Sequence, residues 1–413
     1  MNNFTLLFVC SVLIAFFVQL WLSKRHLHHV RQHKNRVPEA FNQSVTLEAH
    51  QKAAEYTLTK TRFGLFEQAL GTLLLFLWTL GGGLEFIDQQ VRSLGFDQIW
   101  SGVIFIFGVS ILMSIIDLPS GLYQTFKIEQ RFGFNRITLK LFFTDMAKGL
   151  LLSLLIGLPL LWAVLWLMDN SGELWWFYTW ALWLSFSLVM MWLYPAVIAP
   201  LFNKFTPLED EALRVRIEQL LKHCGFKSNG IFVMDGSTRS SHGNAYFTGL
   251  GGNKRIVFFD TLLKSLNHDQ IEAVLAHELG HFKHRHVTKR LVTMAISSLL
   301  GLALLGWLIQ QAWFFHGLGI STPSTYSALM LFMLALPSFT FFMAPISSLM
   351  MRKHEFEADA FAAQQCDPEH LVSALVTLYN DNANTLTPDP LYAGFHYSHP
   401  PAAIRIQHLR AAV

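Results

Sequence analysis

Five consecutive residues, His277-Glu278-Leu279-Gly280-His281, carry the densest chemistry in the chain. On a helix, positions i and i+4 share a face, so the two imidazoles can reach one metal ion. Glu278 follows the first of them directly, where its carboxylate can take a proton from a water activated by that metal. The surrounding sequence predicts the helix. Asn267 is a good N-cap, Gln270 completes a capping box, and Ile271, Val274, Leu275 and Leu279 form an apolar stripe. Zinc is the expected cofactor, one ion per chain.

A catalytic zinc takes three protein ligands and keeps a fourth position open. The pattern that supplies a third histidine from the same segment, HExxHxxGxxH, fails here, because His284 stands where Gly is required and Val287 where His is required. His284 and His286 are therefore expected to be solvated at the membrane edge. The other solution takes a carboxylate from a separate helix, and His354-Glu355-Phe356-Glu357-Ala358-Asp359 offers three. At about 100° per residue, Glu355 and Asp359 share a helix face while Glu357 points roughly 200° away from Glu355. This predicts Glu355 as the third ligand and Asp359 as the acceptor that orients a zinc-binding histidine.

The elements that must position these residues lie in a membrane. Of 413 residues 52% are hydrophobic and only 14% charged, against about 25% charged in soluble domains. Seven apolar stretches approach the roughly 20 residues that cross a bilayer, near 4–22, 64–84, 99–118, 149–168, 174–197, 291–313 and 325–349. The first does not read as a cleaved signal peptide, since its apolar run is long and Lys24, Arg25, Arg31, Lys34 and Arg36 follow it. Lys and Arg accumulate on the cytoplasmic side. With residues 1–3 outside, 30 of the 31 Lys and Arg residues fall inside and Arg92 alone falls outside. An even helix count breaks that alternation, so the charge bias supports seven and turns the HExxH segment to the cytoplasm. The net charge of +3 gives no argument for a nucleic-acid partner, and Cys10, Cys224 and Cys366 form no disulfide framework.

The chain accordingly divides into membrane helices one to five with their loops (1–197), a first catalytic part with an edge strand and the HExxH helix (198–290), membrane helices six and seven (291–349), and a second catalytic part with the third ligand (350–413). The polar stretches predict an amphipathic helix over 208–224, a strand over 230–235, and strands over 244–249 and 254–260 joined by a turn at Gly249, Gly251, Gly252 and Asn253. The expected fold is mainly α and polytopic, with a small α+β zincin-like module.

Several separated stretches resemble one family, the integral-membrane M48 zinc metallopeptidases of the Ste24 type, also called type I CAAX prenyl proteases. They are Ile128-Glu129-Gln130-Arg131-Phe132-Gly133-Phe134-Asn135, Asn244-Ala245-Tyr246-Phe247, the run from Lys254 to Leu263, the HELGH segment, Glu355-Phe356-Glu357-Ala358-Asp359 and Tyr397-Ser398-His399-Pro400-Pro401. The resemblance implies seven helices around an intramembrane chamber, zinc on two His and one Glu, and peptide or protein substrates that include prenylated CAAX proteins. It favours His399 as the group that stabilises the transition state, with His396 and Tyr397 open as alternatives. Asn244, at the head of a strand that can pair with an extended substrate, is expected to hold the substrate backbone or the developing oxyanion. Arg405 is expected to support the His399 loop through a carboxylate, with a surface position as the alternative. The short outer segments and a C-terminus, Arg410-Ala411-Ala412-Val413, without a dilysine signal point to a bacterial relative in an inner membrane, with the ER membrane as the alternative for a eukaryotic protein. A transporter or scaffold with a structural zinc is the competing class. It is disfavoured because such sites are closed by four ligands, often cysteines, and have no use for Glu278.

Overall fold

A computed structural model describes residues 2–248 and 255–411; the turn expected at Gly249–Asn253 lies outside the described residues. Among these, six helices are long and apolar enough to cross a membrane: Asn3–His33, Gln98–Phe132, Leu139–Asn170, Gly172–Phe202, His286–Leu308 and Thr325–Gln365. A bent pair, Leu47–Trp78 and Gly83–Ser93, completes seven when taken as one span. Leu73, Leu155 and Leu300 are among the large apolar side chains left exposed on these helices, as expected where the outer solvent is hydrocarbon.

The second span is broken by 49°, which the apolar pattern did not reveal. Gly82 sits at φ +78°, and a Cβ on Gly81 would meet the Leu77 carbonyl oxygen at 2.7 Å, so the corner needs glycine at both. The helix Gly83–Ser93 then lies in the segment expected outside. Its Arg92 pairs with the buried Asp88 at 2.8 Å, and Asp88 also accepts from Tyr326 Oη at 2.6 Å. Arg92, the one cation expected outside, is thereby tied to the start of the seventh span.

The polar stretches form a four-stranded mixed sheet. Its strands are β1 (Phe205–Pro207), β2 (Ile231–Met234), β3 (Ala245–Thr248) and β4 (Arg255–Phe259), in the order β1-β2-β4-β3. β2 and β4 run parallel; β3 is antiparallel to β4, with Tyr246 opposite Val257. β3 therefore forms one edge of the sheet. β1 was not anticipated, being three residues long and ending in Pro207, which only an edge strand tolerates. Ile256 and Phe258 of β4 share one core with Ile271, Leu275 and Leu279, and with Leu371, Leu375, Ile406 and Leu409. Residues on both sides of the sixth and seventh spans thus fold into one hydrophobic unit.

The seventh span delivers the carboxylate-bearing segment directly. Thr325–Thr340 contains Pro337, a 3-10 turn occupies Phe341–Met343, and Ala344–Gln365 continues onward with Pro345 in its first turn, where the missing N–H is not needed.

Candidate active site

The HExxH residues lie on the helix His268–Lys283. Asn267 accepts from the Gln270 N–H and the Gln270 side chain returns a bond to the Asn267 backbone, the full capping box. Gln270 also donates to Ser373 Oγ at 2.7 Å, tying the helix start to the helix Pro368–Asp381. Near its other end Gly280 packs on Ala358 so closely that a Cβ would lie 2.8 Å from the Ala358 Cα. That contact brings Glu355, one turn before Ala358, to the two histidines.

His277, His281 and Glu355 converge, each offering one atom within 4.8 Å of the others. His277 Nε2 is 3.5 Å from Glu355 Oε2, and His281 Nε2 is 3.4 Å from Glu355 Oε1. Ligand atoms about 2.1 Å from one tetrahedral centre are about 3.4 Å apart, so these separations suit a zinc ion. Glu355 Oε2 is buried and makes no hydrogen bond among the described residues, so its capacity to accept is left for a ligand. The donor set fits zinc on geometry and on charge. Glu278 is half-buried on the same helix.

The supporting contacts fix the tautomers. Asp359 is fully buried and accepts from His277 Nδ1 at 2.8 Å, which leaves Nε2 for a metal. Arg405 is buried as well; its Nε donates to Asp359 Oδ2 at 2.9 Å, and its Nη1 lies 3.6 Å from Glu355 Oε2. Arg405 thus holds the carboxylates of the metal cluster rather than a surface position. Burial opposes charge on His277, as does Arg405, but the bond to Asp359 and the nearby Glu355 carboxylate outweigh them and raise its pKa to about 9.

His286 is the residue the sequence reading missed. It is fully buried rather than solvated. Its Nε2 is 2.8 Å from Glu357 Oε2 and its Nδ1 2.9 Å from His281 Nδ1. Because a carboxylate only accepts, His286 Nε2–H is the donor to Glu357, and neutral His286 then accepts from His281 Nδ1–H. That leaves His281 Nε2 for a metal. The cause is a break after Lys283: Arg285 adopts φ 56°, ψ 35°, so the HExxH helix does not run on into the sixth span. His284, by contrast, is exposed as expected.

His399 Nε2 lies 3.4 Å from Glu355 Oε1, and its Nδ1 is 2.9 Å from Ser398 Oγ. Its ring opens into a cavity of about 750 Å³ that Asn244, Tyr397 and Arg405 also line. Removal from bulk water lowers the His399 pKa, against the pull of Glu355. Burial likewise lowers His396 and raises Tyr397, and of these three His399 is the one whose ring reaches Glu355. Asn244 is exposed, its side-chain oxygen accepting from the Ala245 N–H at 2.8 Å. On the other side the cavity is walled by the first two spans, through residues such as Gln19 and Gln68.

Two family models match consecutive parts of the chain: "CAAX prenyl protease N-terminal, five membrane helices" over residues 26–204 and "Peptidase family M48" over residues 207–413. The chain belongs to peptidase family M48. It is a multi-pass membrane zinc metallopeptidase of the CAAX prenyl protease 1 type. It is 37% identical to the CAAX prenyl protease 1 homolog of Arabidopsis thaliana, over 90% of this chain and 89% of that one. It is 34% identical to CAAX prenyl protease 1 of Saccharomyces cerevisiae, over 90% and 88%. The crystal structure of S. mikatae Ste24p superposes with a TM-score of 0.92 at 32% identity, covering 99% of both chains. These relatives are eukaryotic, so the expectation of a bacterial inner-membrane protein finds no support. The short segments on which it rested are no mark of a bacterial chain, since the same architecture covers nearly all of the S. mikatae Ste24p chain.

Proposed function

We propose that this protein cleaves peptide bonds near the C-terminus of prenylated CAAX-type proteins at the cytoplasmic face of its membrane. The observation that carries the reading is the convergence of His277, His281 and Glu355 beside a cavity bounded by membrane helices. Zinc, when bound, supplies Lewis acidity for the scissile carbonyl and lowers the pKa of a water. Glu278 accepts the proton of the attacking water and passes it to the leaving amine. The edge strand β3 receives an extended substrate by backbone pairing, and Asn244 at its head holds the backbone or the oxyanion. His399, whose ring lies 3.4 Å from Glu355 at the cavity, donates to the charge that develops on the carbonyl. Asp359, Arg405 and His286 hold the ligands in their metal-binding tautomers and positions. Residues 198–290 and 350–413 act as one catalytic module, set on the membrane parts 1–197 and 291–349.

A prenyl chain adds about 0.8 kcal/mol of membrane partitioning per buried CH₂ without contacting the zinc site. The test compares kcat/KM for one CAAX-type peptide with and without its farnesyl group, in liposomes, for the wild type and Glu278→Gln. The lipidated peptide should be cleaved faster, and Glu278→Gln should keep its zinc while losing at least a hundredfold in kcat, as expected for loss of a general base. Equal rates for both peptides, together with rapid cleavage of soluble unrelated proteins, would identify a general membrane quality-control protease instead.

A further inference from the structure

The second span carries a cation for which the reaction above gives no role. Lys60 is exposed to the cavity that Asn244 and His399 line, one turn before the apolar stretch of its helix begins. Its ammonium lies 4.8 Å above the ring of Tyr56 and donates to Tyr56 Oη at 3.3 Å. Among the described residues it has no carboxylate within ion-pair distance. The nearby Glu129 is already engaged: it accepts from Tyr56 Oη at 2.7 Å and lies 3.6 Å from His242 Nε2. Tyr56 in turn is packed among Ile128, Phe132 and Phe134, so the aromatic platform beneath Lys60 is fixed by the end of the helical span Gln98–Phe132 and the turn after it. Of the Lys and Arg side chains on the cavity wall, Arg405 is committed to Asp359. Lys60 is the one free to meet an anion.

We propose that Lys60 binds the free C-terminal carboxylate of the substrate. The inference rests on the reading that cleavage occurs near a C-terminus. Three extended residues span at most about 11 Å, the width of a sphere of the cavity's volume of about 750 Å³. A chain end a few residues beyond the scissile bond therefore fits the cavity that Lys60 lines together with His399, whose ring lies 3.4 Å from Glu355. The remaining wall is polar but uncharged at Gln19, Thr57, Thr61 and Gln68, so a carboxylate entering the cavity meets one unpaired positive charge there. Such a cation, held over the Tyr56 ring with no carboxylate of its own among the described residues, is placed to pair with the substrate's carboxylate. Lys60 would thus make the enzyme count from the C-terminus, favouring chain ends over internal segments.

The experiment measures kcat/KM of the zinc-loaded full chain in liposomes on one farnesylated CAAX-type peptide, made as free acid and as C-terminal amide. The wild type should prefer the acid by roughly ten- to a hundredfold, the range of a hydrogen bond to a charged group, mainly through KM. In Lys60→Gln the acid-to-amide ratio should collapse toward one, and in Lys60→Arg it should be largely kept. A wild type indifferent to the amide, or a Lys60→Gln variant that retains the wild-type ratio, would overturn the proposal while leaving the peptidase reading intact. Liposomes made with and without anionic lipid separate the alternative in which Lys60 serves a lipid headgroup: if its substitution changes only the dependence on anionic lipid, the proposal fails. If the wild type cleaves neither peptide, the CAAX reading itself falls and the proposal with it.

Discussion

Replacing Gly280 by Ala tests whether the close approach of two helices builds the metal site. The new Cβ would lie 2.8 Å from the Cα and 3.0 Å from the carbonyl oxygen of Ala358, whereas ordinary carbon contacts are about 3.5–4.0 Å. Both obstacles are backbone atoms, so no side-chain rotation relieves them and the helices must part by about 1 Å. Overpacking of this kind costs about 1–3 kcal/mol, and the better helix propensity of Ala returns about 1 kcal/mol. The fold should therefore survive with a small loss of stability. The metal site should not, because bond lengths in such sites tolerate only about 0.2 Å, and Glu355 sits on the helix that moves. Zinc affinity, measured by competition with a chromophoric chelator, should fall at least tenfold while the thermal midpoint shifts little. Adding Ala358→Gly should not rescue it, since the obstructing Cα and carbonyl remain. Wild-type zinc affinity in Gly280→Ala, or full rescue by Ala358→Gly, would refute the reasoning.

Arg405→Met should destabilise the protein by about 3–5 kcal/mol, the cost of leaving a buried partner charge unpaired, because Asp359 is fully buried and Arg405 nearly so; an unchanged thermal midpoint would contradict this. His286→Ala should weaken zinc binding by about ten- to a hundredfold, as loss of a supporting hydrogen bond to a ligand does, whereas the exposed His284→Ala should leave it alone. Zinc binding should also strengthen with pH. The pKa of His277 is raised to about 9, so below that value the metal must displace a proton, and the apparent affinity should climb about tenfold per pH unit until about pH 9. Isotherms that coincide between pH 6 and 8 would show that His277 carries no such proton.

The parts of the site encoded by local pattern were readable in the sequence. The capping box at Asn267 and Gln270, the i and i+4 histidines, and the separation of Glu355 from Glu357 around a helix all follow from geometry within one element. His286 was not readable, for a definite reason. On an uninterrupted helix it would point about 140° away from His281; only the left-handed turn at Arg285 brings it back, and an arginine gives no sign of such a turn. The wall of the cavity was hidden likewise. Gln19 and Gln68 are isolated polar residues in apolar runs, and their common destination depends on how the first two spans pack. The 49° bend of the second span sits at three consecutive glycines, Gly81, Gly82 and Gly83, a signal present in the sequence but masked by the hydrophobicity on its N-terminal side. The source of the protein is a matter that loop lengths do not encode.

The two helices that carry the candidate ligands adjoin the two ends of a membrane hairpin. His281 stands just before the sixth span and Glu355 at the far end of the seventh, with the whole hairpin between them. A single ion held by both would clasp that hairpin at its neck, closing a loop of more than seventy residues whose free ends cost conformational entropy to bring together. Chelation would then unfasten more than chemistry: the ends of the two spans nearest the site would lose one of their ties, leaving the Gly280–Ala358 contact, the His286–Glu357 hydrogen bond and the shared core. The metal in such an arrangement is at once reagent and rivet, and a metal-depleted enzyme should be more easily digested by added protease at the Lys283–Arg285 break than the loaded one.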